Sequence, residues 1–172
     1  MAAVARNYNS IGCERSDLGR EAACAKTIDA LWTLLSGTGV SWIGVYFGPG
    51  QKLSDGRAAG PDEMILGPCR NKPACSPIGL HGACGRAWRE RRALIVTDVK
   101  KLGSNYVACD PRDRSELVIP LFEPSGACWG VLDADSHEPG AFNEQDAAEL
   151  TAITLRCGLS APQTGTHPPL TI

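Results

Sequence analysis

Apolar residues recur at helical spacing over residues 16–36, SDLGREAACAKTIDALWTLLS. Ala22, Ala23, Leu31, Leu34 and Leu35 share one face there, and Ser16 stands where an N-cap belongs. The period then shortens. VSWIGVYFG at 40–48 is β-branched and aromatic, which predicts a strand. In it Trp42 and Tyr46 share one face, and Ile43, Val45 and Phe47 share the other. The polar, glycine-bearing residues 51–63 predict a connection, and MILG a short second strand. CRNKPACSPIGLHGACG at 69–85 holds two prolines and three glycines, so irregular backbone is expected. A short helix at GRAWRERR follows, then a strand at ALIVTDV and a loop over 100–114 with room for a helical turn. SELVIPLF (115–122) and CWGVLDADS (128–136) flank EPSGA as a hairpin. FNEQDAAELTAITLRCGLS predicts a closing helix, capped by Asn143 and stopped by Gly158. This order argues for an α+β fold with a largely antiparallel sheet flanked by the two end helices.

Composition narrows the class. With 172 residues, 43% hydrophobic and 21% charged, the chain fits one globular domain. The expected division is an extension at 1–15, a single domain at 16–160 and a mobile tail at 161–172. A net charge of −2 gives no general pull toward nucleic acid or anionic membrane. The basic cluster RAWRERR at 86–92 reads as the polar face of a short helix. No apolar run approaches bilayer length, and the first residues lack a signal-peptide core. A cytoplasmic location is the expectation.

Eight cysteines, at 13, 24, 69, 75, 84, 109, 128 and 157, raise the question of chemistry. In a reducing compartment scattered thiols are mostly small buried hydrophobes, whereas clustered ones bind metal or do redox work. Cys69, Cys75, His81 and Cys84 offer soft zinc ligands as C-x5-C-x5-H-x2-C, but without the tight C-x2-C knuckle. Cys109 stands in the charged loop NYVACDPRDRSELVIPL, just before a core strand that can aim it. Arg112 and Arg114 would favour its thiolate and Asp110 would oppose it. On the last predicted strand Asp133 and Asp135 are two apart and so share a face.

Five motifs, in order, resemble the GAF-domain free methionine-(R)-sulfoxide reductases: WIGVY (42–46), LGPCRNKPAC (66–75), GACG (82–85), VACD (107–110) with RSELVIPL (114–121), and GVLDADS (130–136). The resemblance spans about residues 16 to 160. It departs from the family in a longer loop at 49–63, a segment one residue short between Cys75 and Cys84, His81 in place of an arginine, and Cys69 in place of an aromatic residue. It implies a GAF-like, largely antiparallel six-stranded sheet and thiol-dependent reduction of free methionine sulfoxide. Cys109 would be the nucleophile, Cys75 the principal resolving thiol and Cys84 a second resolving thiol or the first attacker. Glu116, with Asp135 sharing the task, would face the sulfoxide oxygen, Asp133 the amino group, and Trp42 with Tyr46 the methyl group. The resemblance implies no bound cofactor and no metal. An external dithiol, thioredoxin in the family, would supply electrons. It leaves a monomer or a homodimer through the end helices open. The competing reading is a non-catalytic GAF module that senses a small ligand.

Overall fold

Seven strands form one sheet, ordered β3-β2-β1-β6-β5-β4-β7. They are β1 (Val40–Phe47), β2 (Glu63–Arg70), β3 (Ile78–Gly79), β4 (Leu94–Val96), β5 (Ser115–Phe122), β6 (Cys128–Ser136) and β7 (Leu170–Thr171). The helices are α1 (Arg20–Leu35), α2 (Ala83–Glu90) and α3 (Glu144–Arg156). The computed structural model describes residues 6–15, 17–72, 74–106, 109–165 and 167–172. Ser16, the expected cap, lies outside them. Helix α1 starts later than the periodicity implied, with Gly19 at its N-cap and Ala23 N donating to Gly19 O at 3.0 Å. At α3 the expected cap is present as a capping box: Asn143 and Asp146 each accept the other's backbone N–H.

The period-two pattern divides two cores across the sheet. Ile43, Val45 and Phe47 of β1 join the larger one, under α1 and α3. Trp42 and Tyr46 join the smaller one, under α2 and the loops around it. Because both faces are covered, every residue of β5 from Ser115 to Leu121 is buried. Pro120 is tolerated in this strand because β4 pairs only as far as Val118, so no neighbour there asks for the missing N–H.

One expectation fails at the C-terminal end. The tail is not free: Leu170 N donates to Ala93 O at 2.8 Å and Ile172 N to Ile95 O at 2.9 Å. It adds β7, parallel to β4, and so the seventh strand. Without it β4 would be an edge with unpaired backbone groups. The described part of the N-terminal extension is packed, with Tyr8, Ile11 and Cys13 buried. Tyr8 Oη donates to Asp146 at 2.7 Å, and Arg6 pairs with the same carboxylate at 2.9 Å. Cys13 is bonded to Cys157, with 5.6 Å between their Cα atoms. This disulfide belongs to the larger core, on the opposite side of the sheet from Trp42 and Tyr46.

Candidate active site

The register of the three central strands builds a floor on the smaller-core face. Trp42 on β1 pairs with Asp135 on β6, which pairs with Glu116 on β5. In the next row Gly44 pairs with Asp133, which pairs with Val118. Gly44 is thus a gap between Trp42 and Tyr46, whose rings lie 6.1 Å apart. A Cβ at Gly44 would run into the Trp42 ring and come within 2.8 Å of Cys69 Cβ. Gly44→Ala is therefore expected to cost about 1–3 kcal/mol through overpacking. Urea unfolding measures it; an unchanged midpoint would show that the indole swings aside freely.

Three segments close over this floor. The first turn of α2 brings Cys84, whose thiol donates to Asp133 Oδ2 at 3.3 Å. Cys84 was expected in irregular backbone; it is instead buried at a helix start, where packing holds it still. Gly85 follows it because a Cβ there would meet the Leu80 backbone. The segment after β2 brings Cys75, and it is pinned by the floor. Tyr46 Oη donates to Cys75 O and Trp42 Nε1 to Lys72 O, each at 2.9 Å. The loop before β5 brings Cys109, close enough to Cys75 for the thiols to interact. Val107 and Ala108 of the VACD motif lie outside the described residues, as does Pro73.

Between floor and cover lies an enclosed hollow of about 40 Å³, lined by Cys84, Cys109, Glu116, Asp133 and Asp135 among others. It shares Trp42, Cys109 and Asp135 with a more open rim hollow of about 300 Å³. Seven of the eight residues expected to form a site therefore line the two hollows; Cys75 lines neither and joins them through its interaction with the Cys109 thiol. Sequence reasoning did not single out Tyr106 and Asp113, which also line the enclosed hollow. Nor did it single out Lys72, although the residue stood inside a quoted motif. Cys69, Cys75, His81 and Cys84 form no common cluster among the described residues. Two groups are tight among the described residues, Cys84 with Glu116 and Asp133, and Asp110 with Asp113 and His137, each with its ligand atoms within 4.8 Å of one another.

The electrostatics are those of a buried acid cluster. Glu116, Asp133 and Asp135 have no Lys, Arg or His within ion-pair distance among the described residues. Burial, then the charge of Asp133, raises Glu116 and Asp135 well above the usual carboxylate range. Burial pushes Asp133 up to about 7 against the opposing Cys84 hydrogen bond. Its Oδ1 is buried without a hydrogen-bond partner. Burial and then Asp133 raise the Cys84 thiol. Burial and then the Cys75 thiol push Cys109 up to about 12. The two arginines near Cys109 in sequence are engaged elsewhere. Arg112 grips Asp110, with Nη2 2.8 Å from Oδ2, and Arg114 pairs with Asp98 at 3.0 Å. Cys109 is thus a neutral thiol before any ligand arrives. A group that gives its proton to an acceptor as it attacks suits such a site better than a preformed thiolate.

Comparison with known proteins identifies the family of the fold. The profile described as GAF domain matches residues 17–159. GAF domain-containing protein A of Dictyostelium discoideum is 40% identical over 93 residues, which cover 54% of this chain and 58% of that protein. Free methionine-R-sulfoxide reductase of Saccharomyces cerevisiae is 32% identical over 115 residues, 66% of this chain and 59% of the yeast protein. The match thus spans about three fifths of the length of these two curated relatives. The crystal structure of free methionine-R-sulfoxide reductase from Neisseria meningitidis in complex with its substrate superposes with a TM-score of 0.68 at 32% identity, covering 81% of this chain and 75% of that one. With the fold, the motif order and the convergence of the cysteines and carboxylates in agreement, the chain belongs to the GAF-domain family and, within it, to the free methionine-R-sulfoxide reductases.

Proposed function

We propose that this chain reduces free L-methionine (R)-S-oxide to methionine. The observation that carries the reading is the setting of Cys109. It interacts with a second loop thiol, Cys75, and lines a hollow with a buried acid cluster that has no cationic partner among the described residues. Such a cluster calls for a cationic ligand, and the substrate ammonium supplies one. Asp133, with its unpartnered Oδ1, is assigned to that ammonium. Glu116, with Asp135 beside it, is assigned to the sulfoxide oxygen, because burial keeps it protonated and able to donate. The Trp42 and Tyr46 rings form the wall for the methyl group.

The steps balance. Cys109 sulfur attacks the sulfoxide sulfur and loses its proton, while a carboxyl proton moves to the oxygen. The S–O bond breaks as oxygen passes to Cys109, giving methionine and a Cys109 sulfenic acid. The Cys75 thiol attacks the sulfenic sulfur, water leaves, and a Cys75–Cys109 disulfide forms. An external dithiol, a thioredoxin-like protein by family resemblance, reduces that disulfide with two electrons and two protons. Cys84 is assigned a supporting role, since its helix fixes it against Asp133. The Cys13–Cys157 disulfide lies across the sheet and takes no part. No helix of the described residues is long and apolar enough to cross a membrane.

The test is an assay with separated epimers of free methionine sulfoxide and a dithiol. The R epimer is expected to be consumed and the S epimer spared. A sensor module, the competing reading, would bind ligand without turnover. Consumption of neither epimer, with binding intact, would move the conclusion to it.

A further inference from the structure

Free methionine sulfoxide is a zwitterion at neutral pH. The acid cluster accounts for its ammonium and leaves its α-carboxylate without a partner. No residue lining the enclosed hollow is a lysine, arginine or histidine. Of the residues lining the rim hollow one is cationic, Lys72, and three are aspartates, Asp110, Asp113 and Asp135, so Lys72 is the group there that can receive an anion. The two hollows share Trp42, Cys109 and Asp135, so an amino acid extending from one to the other passes the nucleophile. Its ammonium would point to the carboxylates and its carboxylate to Lys72.

Lys72 is also free to change partners. Its backbone is fixed where Trp42 Nε1 donates to its carbonyl at 2.9 Å. Its side chain is 41% exposed, and its ammonium lies 2.6 Å from Asp110 Oδ2. Asp110 does not depend on that contact. Arg112 donates to it from the backbone N and from Nε, each at 3.0 Å, and from Nη2 at 2.8 Å. Lys72 can therefore turn on its four-carbon stem toward the hollow without stranding a bare carboxylate.

We propose that Lys72 receives the α-carboxylate of the substrate and so selects free methionine sulfoxide over the peptide-bound form. In a peptide an uncharged amide replaces that carboxylate, and Lys72 has nothing to grip. This assignment rests on the reductase reading. It differs from a structural role for Lys72 in one respect: its effect depends on the charge at the far end of the substrate.

The experiment compares wild type, Lys72→Met and Lys72→Arg on free methionine (R)-sulfoxide and on its C-terminal amide, which keeps the ammonium and sulfoxide. Lys72→Met is expected to raise KM for the free amino acid about tenfold or more, the scale of one charge-assisted hydrogen bond, with kcat little changed. Lys72→Arg is expected to restore most of the loss. On the amide, wild type and Lys72→Met should be equally poor. An equal loss on acid and amide would show that Lys72 only holds the Asp110 loop, and would overturn the proposal. So would an unchanged KM for the free amino acid. A wild type that turns over neither compound is a failure of the reductase reading instead. Calorimetric titration with free methionine sulfoxide then judges Lys72 separately. About tenfold tighter binding by wild type than by Lys72→Met supports the carboxylate contact, and equal binding overturns it.

Discussion

Cys109→Ser is expected to abolish steady-state reduction of methionine sulfoxide, by about a thousandfold or more, while leaving the fold intact. A serine hydroxyl cannot accept oxygen from a sulfoxide, so the loss is chemical and not a matter of degree. The residue stands in a loop with part of its surface open to solvent, and serine keeps its shape, so stability should change by no more than about 0.5 kcal/mol. Cys75→Ser should behave differently. Its Cys109 still attacks, so one equivalent of methionine forms per chain in a single-turnover experiment. The sulfenic acid then has no resolving thiol and should accumulate, where a dimedone adduct followed by intact-mass analysis detects it. Cys84→Ser removes the hydrogen bond to Asp133 but leaves both loop thiols, and should retain a single turnover and the disulfide. A Cys84→Ser protein without any first turnover, beside an active Cys109→Ser, would exchange the two roles. Equal activity in all three variants would defeat the thiol assignment altogether.

The elements that could be read from the chain are those whose physics is local. The hairpin of 115–122 and 128–136 matches the strands residue for residue, because β-branched and apolar runs bound a turn-rich EPSGA. The division of β1 into two faces followed from its period of two, and the two cores honour it. Asn143 capped its helix because an Asn three residues before an Asp is a local signal. What escaped was non-local. Nothing near Leu170 announces that β4, more than seventy residues earlier, would otherwise lack a neighbour. Nothing near Cys13 announces Cys157 across 144 residues. The same holds in the site. Cys109, Cys75, Cys84 and the carboxylates were legible through the motifs that carry them. The engagement of Arg112 by Asp110 and of Arg114 by Asp98 was not, and the adjacent charges of both signs left the state of the thiol open. Charge near a cysteine in sequence says little until the carboxylates competing for it are placed in space.

Asp133→Asn is expected to make the ligand-free protein more stable above neutral pH while destroying its grip on substrate. Asp133 is buried and titrates at about 7 in the folded chain, whereas in the unfolded chain it would titrate near 3.8. Between those values the folded state holds a proton that the unfolded state has released. The stability this contributes is full below the unfolded pKa and is lost as pH rises through the folded one, since unfolding then sheds protons. Glu116 and Asp135, raised for the same reason, continue the decline at higher pH. Wild type should therefore lose stability from about pH 4 upward, by a few kcal/mol in total before ligand is added. Asparagine has the shape of the protonated carboxyl and no proton to lose, so the variant should follow a flatter curve and lie above wild type at pH 8. Denaturant unfolding of both proteins from pH 5 to pH 8, without ligand, reads this directly. Free methionine sulfoxide should raise the wild-type midpoint and leave that of the variant almost unmoved, because the ammonium no longer finds its counter-charge. Superimposable pH curves for the two proteins would mean that Asp133 is already neutralised by something other than a proton. The claim that the fold holds an uncompensated acid cluster open for a cationic substrate would then fall. The expected result instead identifies the cost of that cluster in the empty protein with the source of its affinity in the occupied one.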